Sequence, residues 1–217
     1  MTVTRILITS GPTRQFLDPV RYLTNASSGR MGAALATAAL GQGHDVVIVS
    51  GPVEVTYPAE AKVIPVISTE EMLVACRREF SSCDGLIGAA APCDYRPVQR
   101  ESQKIAKTGQ PLQLTLMETP DIVATIGANK RPDQWVVGFA LETEDPRFRA
   151  IAKLEKKSCD LIVLNGPEAM NSTTNQVEIL NPQGRVVVKL EGTKDDVAVG
   201  ILKEIGAALV SPRTATG

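Results

Sequence analysis

The chain has 217 residues, with 23 Lys and Arg against 24 Asp and Glu, one His, four Cys and a formal net charge of -1. A near-neutral balance excludes a sequence-independent nucleic-acid binder and a polybasic membrane-surface protein, which need a broad positive field, and a single histidine leaves little room for Ser-His-Asp, Cys-His or multi-histidine metal chemistry. The apolar runs are far shorter than the roughly 20 residues that span a bilayer, the opening MTVTRILITSGPTR lacks signal-peptide zoning, and Cys76, Cys83, Cys93 and Cys159 show no CxxC spacing, so we expect a cytoplasmic protein with reduced thiols, no membrane and no nucleic acid.

No repeat, low-complexity tract or linker divides the sequence, so residues 1–217 read as one domain. Short apolar runs rich in β-branched residues predict strands at Arg5–Thr9, Asp45–Ser50, Lys62–Val66, Gly85–Ala90, Trp135–Phe139 and Leu161–Leu164. Their unalternating character is that of strands buried on both faces. Helical patterns lie between them: Gly29 to Gly41, rich in Ala and Leu; Ser68 to Phe80, where Ser68 and Glu71 fit a capping box; Pro120 to Asn129 with Thr119 as N-cap; Pro146 to Ser158; and Lys194 to Val210. Alternating strands and helices imply βαβ units and a mostly parallel sheet covered on both faces, a Rossmann-like three-layer αβα fold. Late in the chain, Gln176–Leu180 and Arg185–Leu190 flank the turn Asn181-Pro-Gln-Gly184 and predict an antiparallel hairpin at a sheet edge or a subunit contact. The stretch from Pro92 to Thr119 has no helical period and reads as a lid, a binding loop or a disordered segment.

In such a sheet ligands bind beyond the carboxyl ends of the strands. The loop after the first strand runs nearly twenty residues and lacks the GxGxxG turn, which disfavours an ordinary nicotinamide or flavin dehydrogenase. In its place Asn25-Ala-Ser27-Ser28-Gly29-Arg30-Met31-Gly32 opens the first helix. Small residues there let backbone N–H groups and the helix dipole approach an anion, and Ser27 and Ser28 either cap the helix or donate to phosphate. Arg14, Arg21 and Arg30 read as a carboxylate or phosphate fork, or as ordinary surface arginines. After the fourth strand Ala89-Ala-Ala-Pro-Cys-Asp-Tyr95 leaves room for a ligand, with Asp94 as an acceptor. Lys104 and Lys107 stand farther along that loop. After the fifth strand Phe139 is either a stacking ring or core, and Lys153 and Lys157, four residues apart, share a helix face suited to phosphate charge. His44 reads as structural. These features suggest an anionic, nucleotide-like ligand.

The segments ILITSGPTR, DPVRYLTNASSGRMG, VSGP, AAPCDYRP, TPDIV, VVGFALET and DLIVLN, in this order, resemble the phosphopantothenate-cysteine ligase family from about Arg5 to Asn175, and more weakly beyond. The resemblance implies activation of the 4′-phosphopantothenate carboxylate by a nucleoside triphosphate, CTP favoured over ATP, then attack by the amino group of L-cysteine on the acyl-nucleotide, in coenzyme A biosynthesis. It further implies Mg²⁺ accompanying the nucleotide, with unknown metal ligands, no flavin, a homodimer with sites completed near the subunit contact, and a separately encoded decarboxylase in place of the fused flavin domain. By resemblance Asn25 holds the acyl-nucleotide and Lys104 is the flap lysine needed to form it. Arg21, Ala90, Ala91 and Asp94 bind phosphopantothenate. Ser27, Gly29, Gly32, Asp94, Lys104, Pro120, Asp121, Ile122, Val123, Phe139, Lys153 and Lys157 surround the nucleotide. The sequence departs from the family pattern at Cys93 in the substrate loop, Ala106 in the flap, Leu141 after the fifth strand and Gly166 after the sixth. The alternatives are an ATP-using ligase for another carboxylate and a catalytically impaired nucleotide-binding regulator.

Overall fold

The run RILITS forms β1 (Arg5–Ser10), and every residue of it from Ile6 onward is buried. The computed structural model describes residues 3–141, 145–166 and 174–210. After β1 come a short hairpin of β2 (Arg14–Phe16) and β3 (Tyr22–Thr24), then α1 (Arg30–Gly41), β4 (Asp45–Ser50), β5 (Lys62–Pro65), α2 (Thr69–Phe80) and β6 (Gly85–Gly88). A second short pair, β7 (Tyr95–Pro97) and β8 (Leu116–Glu118), precedes α3 (Ile122–Gly127), β9 (Trp135–Leu141), α4 (Pro146–Lys156) and β10 (Leu161–Asn165). The hairpin of β11 (Thr174–Leu180) and β12 (Val186–Thr193) leads into α5 (Lys194–Ile205), which ends in the π-helical turn Gly206–Val210.

Eight strands form one sheet in the order β12-β11-β10-β9-β6-β1-β4-β5. Those from β5 to β10 run parallel, and β11 and β12 close the edge antiparallel. The expected Rossmann-like sheet with a late hairpin is present, and the hairpin takes the edge position. Layering follows from the two-residue period of the strands. Ile6, Ile8, Ile48, Ile87, Val137 and Val163 face the side covered by α1 and α5. Their neighbours Leu7, Val47, Leu86, Val136 and Ile162 face the side covered by α2, α3 and α4. Each fully buried Ile or Leu contributes roughly 1.5–3 kcal/mol of transfer free energy. Among the described residues no helix is long and apolar enough to cross a membrane.

The capping box at α2 forms as expected: the Glu71 N–H donates to Ser68 Oγ at 3.1 Å, and the Glu71 carboxylate accepts from the Ser68 N–H. Two expected caps do not form. Asp121, rather than Thr119, caps α3, accepting from the Ala124 N–H at 3.0 Å, because the Thr119 hydroxyl donates to the Cys93 carbonyl at 2.7 Å. At α1 neither Ser27 nor Ser28 caps the helix; Gly29 takes that place with φ 75°, a left-handed conformation that glycine adopts without penalty. Helix α4 stops at Lys156, which leaves Lys157 one residue beyond it.

Candidate functional site

Strand β1 connects outward through α1 to β4, whereas β6 lies on the opposite side of β1, so the direction of winding reverses between β1 and β6. Beyond the carboxyl ends of strands at such a point, chain diverges to both sides and leaves a crevice. Two cavities meet there. The larger, about 540 Å³, runs from Asn25–Gly32 past Ala89–Ala91 to Asn165, Asn175 and Lys194. The smaller, about 290 Å³, lies against Glu118–Val123, Lys156 and Lys157. Ala90, Pro92, Asp94 and Phe139 line both, so the two are parts of one cleft.

The start of α1 forms the floor of the larger cavity. No side chain caps it, and unpaired N–H groups at a helix start carry partial positive charge. The glycines at this point are required by protein packing. A Cβ on Gly32 would lie 2.1 Å from Ser10 Oγ, and one on Gly29 2.9 Å from Val53 Cγ1. Ser10 is itself fixed, donating to the Gly29 carbonyl at 3.2 Å and accepting from the Tyr57 hydroxyl at 2.9 Å. Packing thus accounts for both glycines, which allow α1 to lie against the end of β1, and with α1 in that place its start faces the cavity.

Asn25 donates from Nδ2 to the Pro92 carbonyl at 2.8 Å, which orients its side chain across the mouth of the cavity. The Ala89–Tyr95 loop opposite is pinned by threonines. The Cys93 N–H donates to Thr13 Oγ1, and the Cys93 carbonyl accepts from Thr69 and Thr119. Ala90 and Ala91 are tied down by backbone bonds to Thr9 Oγ1 and the Gly11 carbonyl. Cys93 is buried beneath this loop with its thiol toward the Tyr95 carbonyl. Burial pushes the other thiols up, Cys76 and Cys159 to about 12 and Cys83 to about 11, so all three stay protonated at neutral pH. His44 accepts at Nδ1 from the Thr4 N–H at 3.3 Å, and burial lowers its pKa, as suits a structural histidine.

The structure brings together Asn25, Ser27, Gly29, Gly32, Ala90, Ala91, Asp94, Phe139 and Lys153 in the larger cavity, and Pro120, Asp121, Ile122, Val123 and Lys157 in the smaller. Lys153 and Lys157 therefore serve adjoining cavities, and Lys157 pairs with Asp121 at 3.2 Å. Arg21 and Lys104 line neither cavity. Arg21 turns instead to the buried Asp18, with Nη1 to Oδ2 at 2.7 Å, and Lys104 stands exposed on the segment between β7 and β8. Glu142 and Thr143 lie outside the described residues.

Sequence reasoning did not place Asn175, Lys194 and Lys156 in the cleft. Asn175, near the start of β11, and Lys194, directly after β12, reach the cavity only through the antiparallel return of β11 and β12, which no local motif announces. Burial lowers the Lys194 pKa, and the neighbouring Arg30 guanidinium lowers it further. Like charges placed side by side favour an anion between them. The carbonyl oxygens of Asn165 and Asn175 are buried without a hydrogen-bond partner among the described residues; such acceptors are satisfied by water or by a ligand donor. Among the described residues no cluster of three or more His, Cys, Asp or Glu could hold a metal ion alone.

Residues 1–209 match the model of the DNA/pantothenate metabolism flavoprotein C-terminal domain. The chain belongs to this family. It is 42% identical over 206 residues to the coenzyme A biosynthesis bifunctional protein CoaBC of Vibrio vulnificus strain YJ016, a match covering 92% of the chain and 51% of that protein. The chain thus spans about half the length of the relatives it matches. The crystal structure of the C-terminal domain of CoaBC superposes with a TM-score of 0.81 at 36% identity, covering 95% of this chain and 96% of that one. A Cab2 mutant, H337A, in complex with phosphopantothenate-cysteine shares the fold with a TM-score of 0.78 at 18% identity, over 94% and 85% of the two chains.

Proposed function

We propose that the chain is a phosphopantothenate-cysteine ligase domain, spanning residues 1–217, which joins 4′-phosphopantothenate to L-cysteine through an acyl-nucleotide, with CTP favoured over ATP. The observation that carries this reading is the convergence of the uncapped start of α1, Asn25 and the Ala89–Ala91 backbone on one cavity. Membership of a family whose relatives are named for coenzyme A biosynthesis supports it. In the first step a carboxylate oxygen of phosphopantothenate attacks the α-phosphorus, the bond to the β-phosphate breaks and pyrophosphate leaves. In the second, the cysteine amino group attacks the acyl carbon, sheds a proton and expels the nucleoside monophosphate.

The residues supply position and charge. The α1 start, Arg30, Lys153 and Lys194 face the phosphates, and Phe139 with Pro120–Val123 forms the wall for the base. Asn165 and Asn175 offer acceptors to ligand hydroxyl or amino groups, and Asn25 orients the acyl group. Asp94, whose exposed carboxylate lines both cavities, fits a Mg²⁺ ion held chiefly by phosphate oxygens; when bound, the ion offsets phosphate charge. No flavin takes part, and the reaction belongs to the cytoplasm alongside a phosphopantothenoylcysteine decarboxylase.

Mixing the protein with Mg²⁺, 4′-phosphopantothenate and CTP releases pyrophosphate before cysteine is added, faster than with ATP. Asn25→Asp slows amide formation and Lys104→Gln slows pyrophosphate release. No release with either nucleotide overturns the reading, and nucleotide binding without turnover favours a regulator.

A further inference from the structure

Residues 98 to 118 are exposed with one exception, Ile105, which is half-buried. Its peptide group is held from both ends. The Ile105 N–H donates to Asp18 Oδ2 at 3.1 Å, and the Ile105 carbonyl accepts from Arg21 Nη1 at 3.0 Å. Asp18 itself is fully buried, and its two oxygens have separate partners. Oδ1 accepts from the Val20 and Arg21 N–H groups, each at 2.7 Å, and so forms the turn of the β2–β3 hairpin. Oδ2 accepts from the Arg21 guanidinium at 2.7 Å and from Ile105. A turn residue alone would need only the first oxygen. Two further contacts hold the same segment: the Glu101 N–H donates to the Leu17 carbonyl at 2.8 Å, and the Arg100 guanidinium lies 5.0 Å from the centre of the Phe16 ring.

We propose that Asp18 is a positioning residue that docks the flap on the β2–β3 hairpin through Ile105, so that Arg21 and the neighbouring Lys104 are presented to the substrates as one unit. The proposal rests on the ligase reading for the task of Lys104 and is independent of it for the docking itself. Asp18 touches neither cavity, so its effect passes through Arg21 and the flap backbone. Charge-assisted hydrogen bonds at a fully desolvated carboxylate are among the stronger local restraints, and without them an exposed segment of some twenty residues samples many positions.

Asp18→Asn separates the two functions of the carboxylate. The amide oxygen still serves the turn, whereas the amide NH₂ group opposes the Ile105 N–H and the Arg21 guanidinium. Ile105→Pro removes the flap donor together with the half-buried isoleucine side chain and leaves Asp18, Arg21 and the hairpin unchanged, on a segment that is otherwise exposed and outside the core. In both variants we expect trypsin to cut after Lys107 about tenfold faster than in the wild-type chain. We also expect kcat for pyrophosphate release to fall on the order of 10- to 100-fold, with KM for CTP within about threefold. Unchanged cleavage in both variants overturns the docking. Faster cleavage with unchanged kcat overturns the positioning role. A wild-type chain that releases no pyrophosphate overturns the ligase reading, while the cleavage comparison still decides whether Asp18 holds the flap.

Discussion

At Gly32 one residue serves both the core and the cleft. The core needs α1 against the end of β1, where an added Cβ would lie 2.1 Å from Ser10 Oγ and 2.5 Å from Ser10 Cβ, and with α1 there its start lines the cavity. Ser10 cannot simply rotate away, because it is hydrogen-bonded to Gly29 and Tyr57. Overpacking of this kind costs about 1–3 kcal/mol, so Gly32→Ala should lower the melting temperature by roughly 2–4 °C for each kcal/mol lost. The clash is specific to Ser10, and Ser10→Gly combined with Gly32→Ala should therefore be more stable than the two single losses summed, by about 0.5 kcal/mol or more. Thermal melts of the four proteins measure this coupling. Strictly additive losses would mean that α1 relieves the contact by moving as a whole.

Between elements, the edge hairpin is tied to α4 by one carboxylate. Glu178 on β11 accepts two bonds from Arg147, at 2.7 and 2.8 Å, and pairs with Lys189 on β12 at 2.9 Å. The Arg147 hydrogen bond is the main cause of a Glu178 pKa held at about 2; partial burial opposes it, and Lys189 adds to the lowering. A carboxyl whose folded pKa lies below its unfolded value of 4.5 stabilises the fold above pH 4.5, and that contribution is lost as pH falls through about 2. Urea midpoints should show Glu178→Gln less stable than wild type at pH 7, with the gap closing between pH 5 and pH 2. A gap that persists at pH 2 would assign the loss to packing instead of charge. None of this cluster is visible in the sequence, where Arg147 and Glu178 are 31 residues apart. What was visible depends on local rules: the doubly buried strands, the Ser68–Glu71 box, the Asn181–Gly184 turn and the small residues that open α1. What was not visible depends on distance or brevity. The three-residue strands β2, β3, β7 and β8 carry too few positions to show a period. Asp121 capped α3 because Thr119 was taken by a carbonyl 26 residues away. Asn175 and Lys194 reach the cleft only because the sheet ends in an antiparallel return.

For the whole molecule, the cleft of one chain lacks two of the residues that the family resemblance assigns to it. Arg21 and Lys104 are joined to each other through Asp18 and Ile105, on a pair of short arms, and neither side chain lines the cleft. Those arms also carry exposed apolar side chains. Of the sixteen exposed large hydrophobic side chains among the described residues, eight lie on them: Val20, Tyr22, Tyr95, Val98, Leu112, Leu114, Leu116 and Met117. Concentration of that kind marks a protein contact surface more than chance exposure. A two-fold dimer formed through the arms would bury this surface and carry the Arg21–Lys104 unit of one protomer to the cleft of its partner. The expected outcome is an elution mass of twice the 23.1 kDa chain, reduced to one chain by Leu112→Glu with Leu114→Glu. Complementation tests the sharing of sites directly. Asn25→Asp and Lys104→Gln proteins, each impaired alone, should regain about a quarter of wild-type turnover when unfolded and refolded together, because half of a random mixture is heterodimer and each heterodimer holds one site with both residues intact. If each cleft instead used its own Lys104, every site in the mixture would carry one of the two changes and no activity would return.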